Sequence, residues 1–249
     1  MRKLIPFKAL VILAALGLAG CAMPVPPSAP GNADTPLADP TKEAVRVAAR
    51  RFVTAAERIE PVAEAACRRQ SPDLNCDYKI VVDDRPDAPI NAFQMREKSG
   101  QPVIAVTVPL IAYVQNEDEM AFILAHEAAH HILTHLDRQR RNSAAGAEVF
   151  GELATLSGGS ANDVARAQEL GAAVGARAYS KEFELEADEL GTVIAFRAGY
   201  NPLIGAGFFA RIPDPGNAFL GTHPPNADRL QVVYQTSARL GLVPGAPSG

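Results

Sequence analysis

Residues 116–135 read Asn-Glu-Asp-Glu-Met-Ala-Phe-Ile-Leu-Ala-His-Glu-Ala-Ala-His-His-Ile-Leu-Thr-His, and within them His126, Glu127 and His130 form an HExxH motif. Residues four apart lie one turn apart on the same helical face, so both imidazoles can bind one metal ion. Glu127 lies about 100° round the helix, where it can act as a general base towards water without binding the metal. The motif therefore predicts a hydrolytic zinc site.

The residues around the motif predict the helix that it requires. Asn116 is a good N-cap and Glu119 stands at the third helical position, so we expect a helix over 117–135. One side of this helix is apolar and available for packing; it consists of Ala121, Leu124, Ala125, Ala128 and Ile132. This context favours a metal site over a chance occurrence of the motif.

A second predicted helix, over 176–198, supplies the third protein ligand that a zinc site needs. It carries Glu184 and, one turn later, Asp188, before Gly-Tyr-Asn-Pro at 199–202 ends it. We expect Glu184 to bind the metal and Asp188 to accept the remaining N–H of a ligand histidine. The alternative is a solvated acidic face, which is our interpretation of Glu182 and Glu189.

The first 41 residues differ in composition from the rest of the chain. Basic residues precede an apolar run over 9–20, which is typical of a signal peptide over 1–20. The run ends Leu-Ala-Gly-Cys, which looks like a bacterial lipobox, so Cys21 is the predicted lipidation site; ordinary cleavage beside an incidental cysteine is the alternative. Residues 21–41 contain six prolines, and we interpret them as the lipidated cysteine and an extended tether.

The remaining chain, 42–242, is predicted to be one zinc metallopeptidase domain, followed by a disordered tail over 243–249. A helix is expected over 42–69, with Pro61 kinking or restarting it. Short strands are expected over 78–82, 90–93 and 103–108. Residues 143–175 predict two closely packed helices with a Ser-Gly-Gly-Ser break at 157–160, although their many small residues would also suit membrane contact.

These patterns together predict an α+β fold that is mainly helical, with a small sheet beside the HExxH helix. The chain has 249 residues, 47% hydrophobic and 21% charged, which is enough for one sizeable core. Its formal net charge is −4, with both signs mixed and no basic stripe, which argues against nucleic acid as a partner. An oxidising compartment would favour a disulfide between Cys67 and Cys76 over two free thiols.

Several motifs in order along residues 43–237 resemble the gluzincin metallopeptidases of peptidase family forty-eight, which includes the CAAX prenyl proteases and the HtpX-type heat-shock proteases. The motifs are Asn-Ala-Phe at 91–93, Asn-Glu-Asp-Glu at 116–119 before HExxH, Glu-x-x-Ala-Asp at 184–188, Ala-Gly-Tyr-Asn-Pro at 198–202, and Thr-His-Pro-Pro at 222–225 with Arg229. Lys181 departs from the family, which usually has Arg there. Because no long transmembrane run interrupts it, the chain resembles the soluble periplasmic branch.

The resemblance implies a zincin-like domain that holds one Zn²⁺ through His126, His130 and Glu184. It also suggests that His223 donates to the oxyanion or occupies the fourth zinc position, unless it is a surface loop histidine. Arg229 is predicted to be a second-shell residue that would orient that loop, unless it is an ordinary surface arginine. The remaining histidines of the helix, His131 and His135, project from another side, and we interpret them as helix-end or second-shell residues.

The implied function is a zinc metalloendopeptidase of the outer membrane, facing the periplasm, that acts on protein or peptide substrates such as misfolded outer-membrane proteins. Residues 91–93 and 103–108 are a candidate edge strand, to which an extended substrate adds as a further strand. One alternative is a periplasmic chaperone or assembly factor with a latent or structural zinc site. Another is a non-peptidase hydrolase that uses the same metal site.

Overall fold

The structure is a computed structural model that describes residues 42–214 and 223–242. The predicted signal peptide, Cys21, the tether, Thr222 and the tail over 243–249 lie outside the described residues. Within the described residues, no helix is both long and apolar enough to span a lipid bilayer.

The described part of the chain confirms the predicted architecture, which is mainly helical with one small sheet. In chain order the elements are α1 (Lys42–Gln70), β1 (Lys79–Asp83), β2 (Ala92–Arg96), β3 (Pro102–Thr107), α2 (Val108–Tyr113), α3 (Glu117–Ile132), α4 (His135–Leu156), α5 (Ala161–Arg177), α6 (Ser180–Arg197), α7 (Pro202–Gly205), a 3-10 helix (Ala206–Ala210) and α8 (Asn226–Arg239).

The three strands form a sheet in the order β1-β3-β2, with β3 parallel to β1 and antiparallel to β2. The prediction that 103–108 forms an edge strand is therefore wrong, because β3 is paired on both sides. Its unbroken apolar run, Val-Ile-Ala-Val, is buried on both faces, as is usual for a central strand. Residues 91–93 do lead into an edge strand, β2, which extends to Arg96.

A short helix, α2, follows β3 directly and was not predicted. Thr107 ends the strand and caps the helix, because its side chain accepts a hydrogen bond from the backbone N–H of Leu110. Proline is favoured in the first turn of a helix, and Pro109 stands there. Val108, which was assigned to the strand from the sequence, thus begins a helix.

Helix α3 is the centre of the domain and is buried on nearly all sides. Met120, Leu124 and Ala128 are completely enclosed. Helices α1 and α6 and the sheet pack around α3, and they contribute Ile59, Ile104 and Ile194 to the same core. The HExxH segment therefore lies on an element that the rest of the fold packs against from several sides.

The start of α3 agrees with the prediction, whereas its end does not. The Asn116 side chain accepts a hydrogen bond of 2.9 Å from the backbone N–H of Glu119, as expected of an N-cap. However, α3 stops at Ile132 instead of running to residue 135. Thr134 has a left-handed backbone with φ of 57°, which interrupts the helix, and α4 then begins at His135 in a new direction.

Helices α4 and α5 form the closely packed pair that the sequence predicts. A Cβ atom added to Gly171 would lie 2.1 Å from the carbonyl oxygen of Gly146, so only glycine allows the two backbones to approach so closely. Ser160 caps α5 in a reciprocal arrangement with Asp163, at the predicted break. Packing between two helices therefore accounts for these small residues.

Helix α1 continues through Pro61 without a restart, contrary to one of the predicted outcomes. The ring of Pro61 is exposed, so the carbonyl that loses its helical partner can be solvated. A disulfide joins Cys67, near the end of α1, to Cys76. The segment between them holds the end of the central helix, since Ser71 Oγ donates to the Ile132 carbonyl at 2.9 Å.

Candidate metal centre

Helices α3 and α6 bring the ligand atoms of His126, His130 and Glu184 together. The two histidine Nε2 atoms are 3.0 Å apart, and the Glu184 carboxylate oxygens lie 3.5 and 3.4 Å from them. Tetrahedral zinc with bonds of about 2.0–2.1 Å holds its ligand atoms about 3.3–3.4 Å apart. The three residues therefore fit the predicted ligand set for one zinc ion.

The close approach of α6 to α3 depends on Gly191. A Cβ atom at this position would lie 3.0 Å from the backbone nitrogen of His126. Gly191 follows Glu184 by seven residues and Asp188 by three, so all three lie on the same face of α6. The glycine thus lets both carboxylates reach the metal-binding face of α3.

The predicted partner of His126 is Asp188, whose Oδ1 lies 2.9 Å from His126 Nδ1. A carboxylate at this nitrogen keeps the proton on Nδ1 and leaves Nε2 free for a metal. Asp188 is fully buried, and Arg229 of α8 binds it with two hydrogen bonds of 2.8 Å. Arg229 is only 7% exposed, so it is not a surface residue.

Arg229 also contacts residues other than Asp188. Its guanidinium lies over the ring of Phe209, 4.0 Å from the ring centre, and its Nη2 atom is 3.5 Å from Glu184. Burial lowers the pKa of Arg229, but the negative charges of Asp188, Glu184 and Glu127 raise it above its ordinary value. Arg229 thus packs directly against the candidate metal centre.

The charges around the ligands favour a cation between them. Burial lowers the pKa of His126, but hydrogen bonds to Asp188 and Glu184 outweigh burial and raise it to about 10. Burial raises the pKa of Glu184, yet hydrogen bonds from three histidines hold it well below its ordinary value. Carboxylates placed in this way stabilise a positive charge at the histidine nitrogens, whether it is a proton or a metal ion.

The second candidate ligand, His130, has a partner that the sequence did not reveal. Its Nδ1 lies 2.8 Å from Nδ1 of His135, and His135 Nε2 lies 3.1 Å from a carboxylate oxygen of Glu186. Both terminal nitrogens of Arg138 donate to the same carboxylate. The sequence predicted only a helix-end or second-shell role for His135, and it gave no signal for Glu186 or Arg138.

The pKa values of this second group follow from its surroundings. Burial, assisted by the neighbouring His130, lowers the pKa of His135 to about 4. The hydrogen bond from Arg138 lowers the pKa of the Glu186 carboxyl. His131, by contrast, is outside the group of candidate ligands and bonds to the Asn75 carbonyl at 2.8 Å, so it supports the end of α3.

The structure places His223 at the rim of the centre. Its Nδ1 is 3.2 Å from a carboxylate oxygen of Glu184, and its side chain is 54% exposed. Among the described residues, the group whose ligand atoms all lie within 4.8 Å of one another contains His126, His130 and Glu184 but not His223. His223 therefore contacts Glu184 from outside this group of three.

The edge strand β2 lies beside the HExxH helix. A cleft between the two is lined by Gln94 and Arg96 of the strand, by His130, and by Asp137 at the start of α4. The edge of β2 opposite β3 has no strand partner within the described sheet.

Fold and site together define a metallopeptidase domain of the zincin type. Residues 53–237 match the family described as Peptidase family M48, and the chain belongs to this family, which confirms the resemblance seen in its motifs. A protein of Vibrio cholerae serotype O1 (strain ATCC 39315 / El Tor Inaba N16961), named "Putative beta-barrel assembly-enhancing protease", is 30% identical over 140 residues, covering 51% of this chain and 29% of that protein. The matched part is therefore less than a third of that relative's length.

Proposed function

We propose that the protein is a zinc-dependent metalloendopeptidase that hydrolyses peptide bonds of envelope proteins. The observation that carries this proposal is the triangle of His126, His130 and Glu184 ligand atoms, with Glu127 on the same helix as the two histidines. Membership of peptidase family M48 supports metallopeptidase activity. The choice of zinc rests on the two imidazoles and one carboxylate, a common catalytic zinc set.

Different residues would carry out different parts of the hydrolysis. Zinc, when bound, would lower the pKa of water and polarise the scissile carbonyl. Glu127 would take the proton of the attacking water and return it to the leaving amine. His223, exposed at the rim and 3.2 Å from Glu184, would donate a hydrogen bond to the developing oxyanion.

The substrates would be extended protein segments that pair with β2. Recognition through backbone hydrogen bonds implies a loose sequence preference. Misfolded outer-membrane proteins are the proposed clients, and the name of the Vibrio cholerae relative, which refers to beta-barrel assembly, supports this choice. The activity would then serve protein quality control in the envelope.

The proposed location is the periplasmic face of the outer membrane, through a lipid on Cys21. The basic, apolar and small-residue stretches before this cysteine support the proposal, and Ala22 follows it where inner-membrane lipoproteins carry Asp. The acyl chains on Cys21 would hold the protein firmly at the membrane, since each buried methylene contributes about 0.8 kcal/mol.

Cys21→Ser is expected to abolish lipidation and release the protein from the membrane fraction. Mass spectrometry of the mature chain and membrane fractionation measure both effects. The matched control is the double variant Cys67→Ser, Cys76→Ser, which should keep the lipid and stay with the membrane. An unchanged mass and location of Cys21→Ser would show that the cysteine is not lipidated.

Zinc-loaded wild-type protein is expected to cleave casein or an unfolded outer-membrane protein, and His223→Ala to cleave at least about tenfold more slowly, because loss of an oxyanion donor weakens transition-state stabilisation. Product formation on gels or by mass spectrometry measures the rate. Cleavage by His223→Ala alone would instead show an enzyme that its own histidine blocks. Absence of cleavage by either protein despite bound zinc would favour the chaperone or assembly-factor alternative.

A further inference from the structure

The ring of His130 has two nitrogens, and only one of them faces the other metal ligands. Nε2 lies among the ligand atoms, 3.0 Å from His126 Nε2, whereas Nδ1 faces His135. We infer that His135, Glu186 and Arg138 form a positioning chain that sets the proton arrangement and ring orientation of His130. This inference rests on the metal site of the proposed function.

The hydrogen-bond donors and acceptors of this positioning chain have only one consistent order when a metal is bound. A neutral imidazole that binds metal through Nε2 carries its proton on Nδ1. His130 Nδ1 therefore donates to His135 Nδ1, 2.8 Å away. His135 must then carry its own proton on Nε2, and this N–H donates to Glu186, 3.1 Å away. This series of hydrogen bonds ends on the Glu186 carboxylate, an arrangement that raises the basicity of a metal-binding histidine.

The other components hold this arrangement in place. The ring of His135 stacks on Phe183 with an angle of 10° between the planes and 4.6 Å between the centres. Arg138 donates to both oxygens of Glu186, and its guanidinium also lies 4.2 Å from the centre of the Phe183 ring. His135 is almost fully buried, so few other orientations are open to it.

The interruption after α3 is what brings the two histidines together. On a continuous helix, residues 130 and 135 would point about 140° apart and their rings would not meet. The left-handed φ of 57° at Thr134 redirects the chain. A β-branched residue is strained in this conformation, and such strain is found mainly where the surrounding structure enforces it. Here the turn at Thr134 lets the His135 ring lie against the His130 ring.

The two metal-binding histidines are thus supported in parallel but different ways. His126 donates directly to Asp188, which Arg229 holds. His130 is connected to the Glu186 carboxylate through His135, and Arg138 donates to that carboxylate. Helix α6 carries both carboxylates as well as Glu184, so its position determines the geometry of every ligand.

Removing the hydrogen-bonded partners of His130 should weaken zinc binding. We expect His135→Phe, which keeps a ring against Phe183 but offers no acceptor, to raise the zinc dissociation constant about 10- to 100-fold. His135→Gln, whose carbonyl oxygen can accept from His130, should restore part of the affinity. Glu186→Gln should give a smaller loss than His135→Phe, because it removes the charge and keeps an acceptor. Competition with a chromogenic chelator on the full chain measures these constants.

The control is Glu189→Gln, the same change at an exposed position of α6, which should bind zinc like the wild type. The proton order is tested directly by ¹⁵N NMR of the zinc-loaded wild type, which should show a proton on Nδ1 of His130 and on Nε2 of His135. A proton on Nδ1 of His135 would overturn the inference, even if His135→Phe fails to fold. Wild-type affinity in all the variants would overturn it too, whereas a wild type that binds no zinc would overturn the proposed function first.

Discussion

Glu127→Gln is expected to abolish peptide cleavage while the protein still binds one zinc ion. The amide cannot take a proton from water, and a general base contributes roughly 10²- to 10⁴-fold to the rate. Glu127 lies next to His126 on α3 but outside the group of ligand atoms, so its loss should leave the metal in place. Cleavage of casein and the zinc content of the purified protein measure the two effects.

The matched control is Glu182→Gln, the same change on the exposed side of α6. This variant should cleave at the wild-type rate. Cleavage retained in Glu127→Gln would contradict the assignment of the general base. Loss of bound zinc in the same variant would show instead that Glu127 is part of the ligand set.

Arg229→Met is expected to destabilise the fold by about 3–5 kcal/mol. The substitution removes both guanidinium hydrogen bonds of the fully buried Asp188 and leaves it with His126, and breaking a buried ion pair is costly. Zinc affinity should fall as well, because Asp188 orients His126. Urea unfolding of the apoprotein, followed by circular dichroism, measures the change in the free energy of unfolding.

Two further variants separate charge from geometry at this position. Arg229→Lys keeps the positive charge but lacks the planar guanidinium that pairs with both oxygens of Asp188, so an intermediate loss of stability is expected. Arg239→Met removes an arginine whose partner, Glu189, is also exposed, and should change stability by less than about 0.5 kcal/mol. Equal stability of Arg229→Met and wild type would contradict a stabilising role for the ion pair between Arg229 and Asp188.

The parts of the site that could be predicted from the sequence are those that depend on short spacings. His126 and His130 are four residues apart, as are Glu184 and Asp188, and helical geometry places each pair on one face. The cap at Asn116 likewise depends on a residue only three positions away. Such relations follow from local backbone geometry, so they hold wherever the helix packs.

The order of the strands in the sheet was harder to predict from the sequence. Each strand was located to within a few residues, but 103–108 was assigned to an edge although β3 is central. Alternating and continuous apolar runs indicate which faces of a strand are buried. They do not indicate which strands become its neighbours, since pairing depends on long-range contacts.

By itself, the sequence determined the helices that carry the ligands, the residue types that can bind zinc, and the family through an ordered series of motifs. Only the tertiary structure decided that Arg229 holds Asp188 and that His135 links His130 to Glu186. The physical reason is distance along the chain: these contacts join residues 41 and 51 positions apart. The second also requires the left-handed turn at Thr134, a conformation for which a β-branched residue gives no local signal.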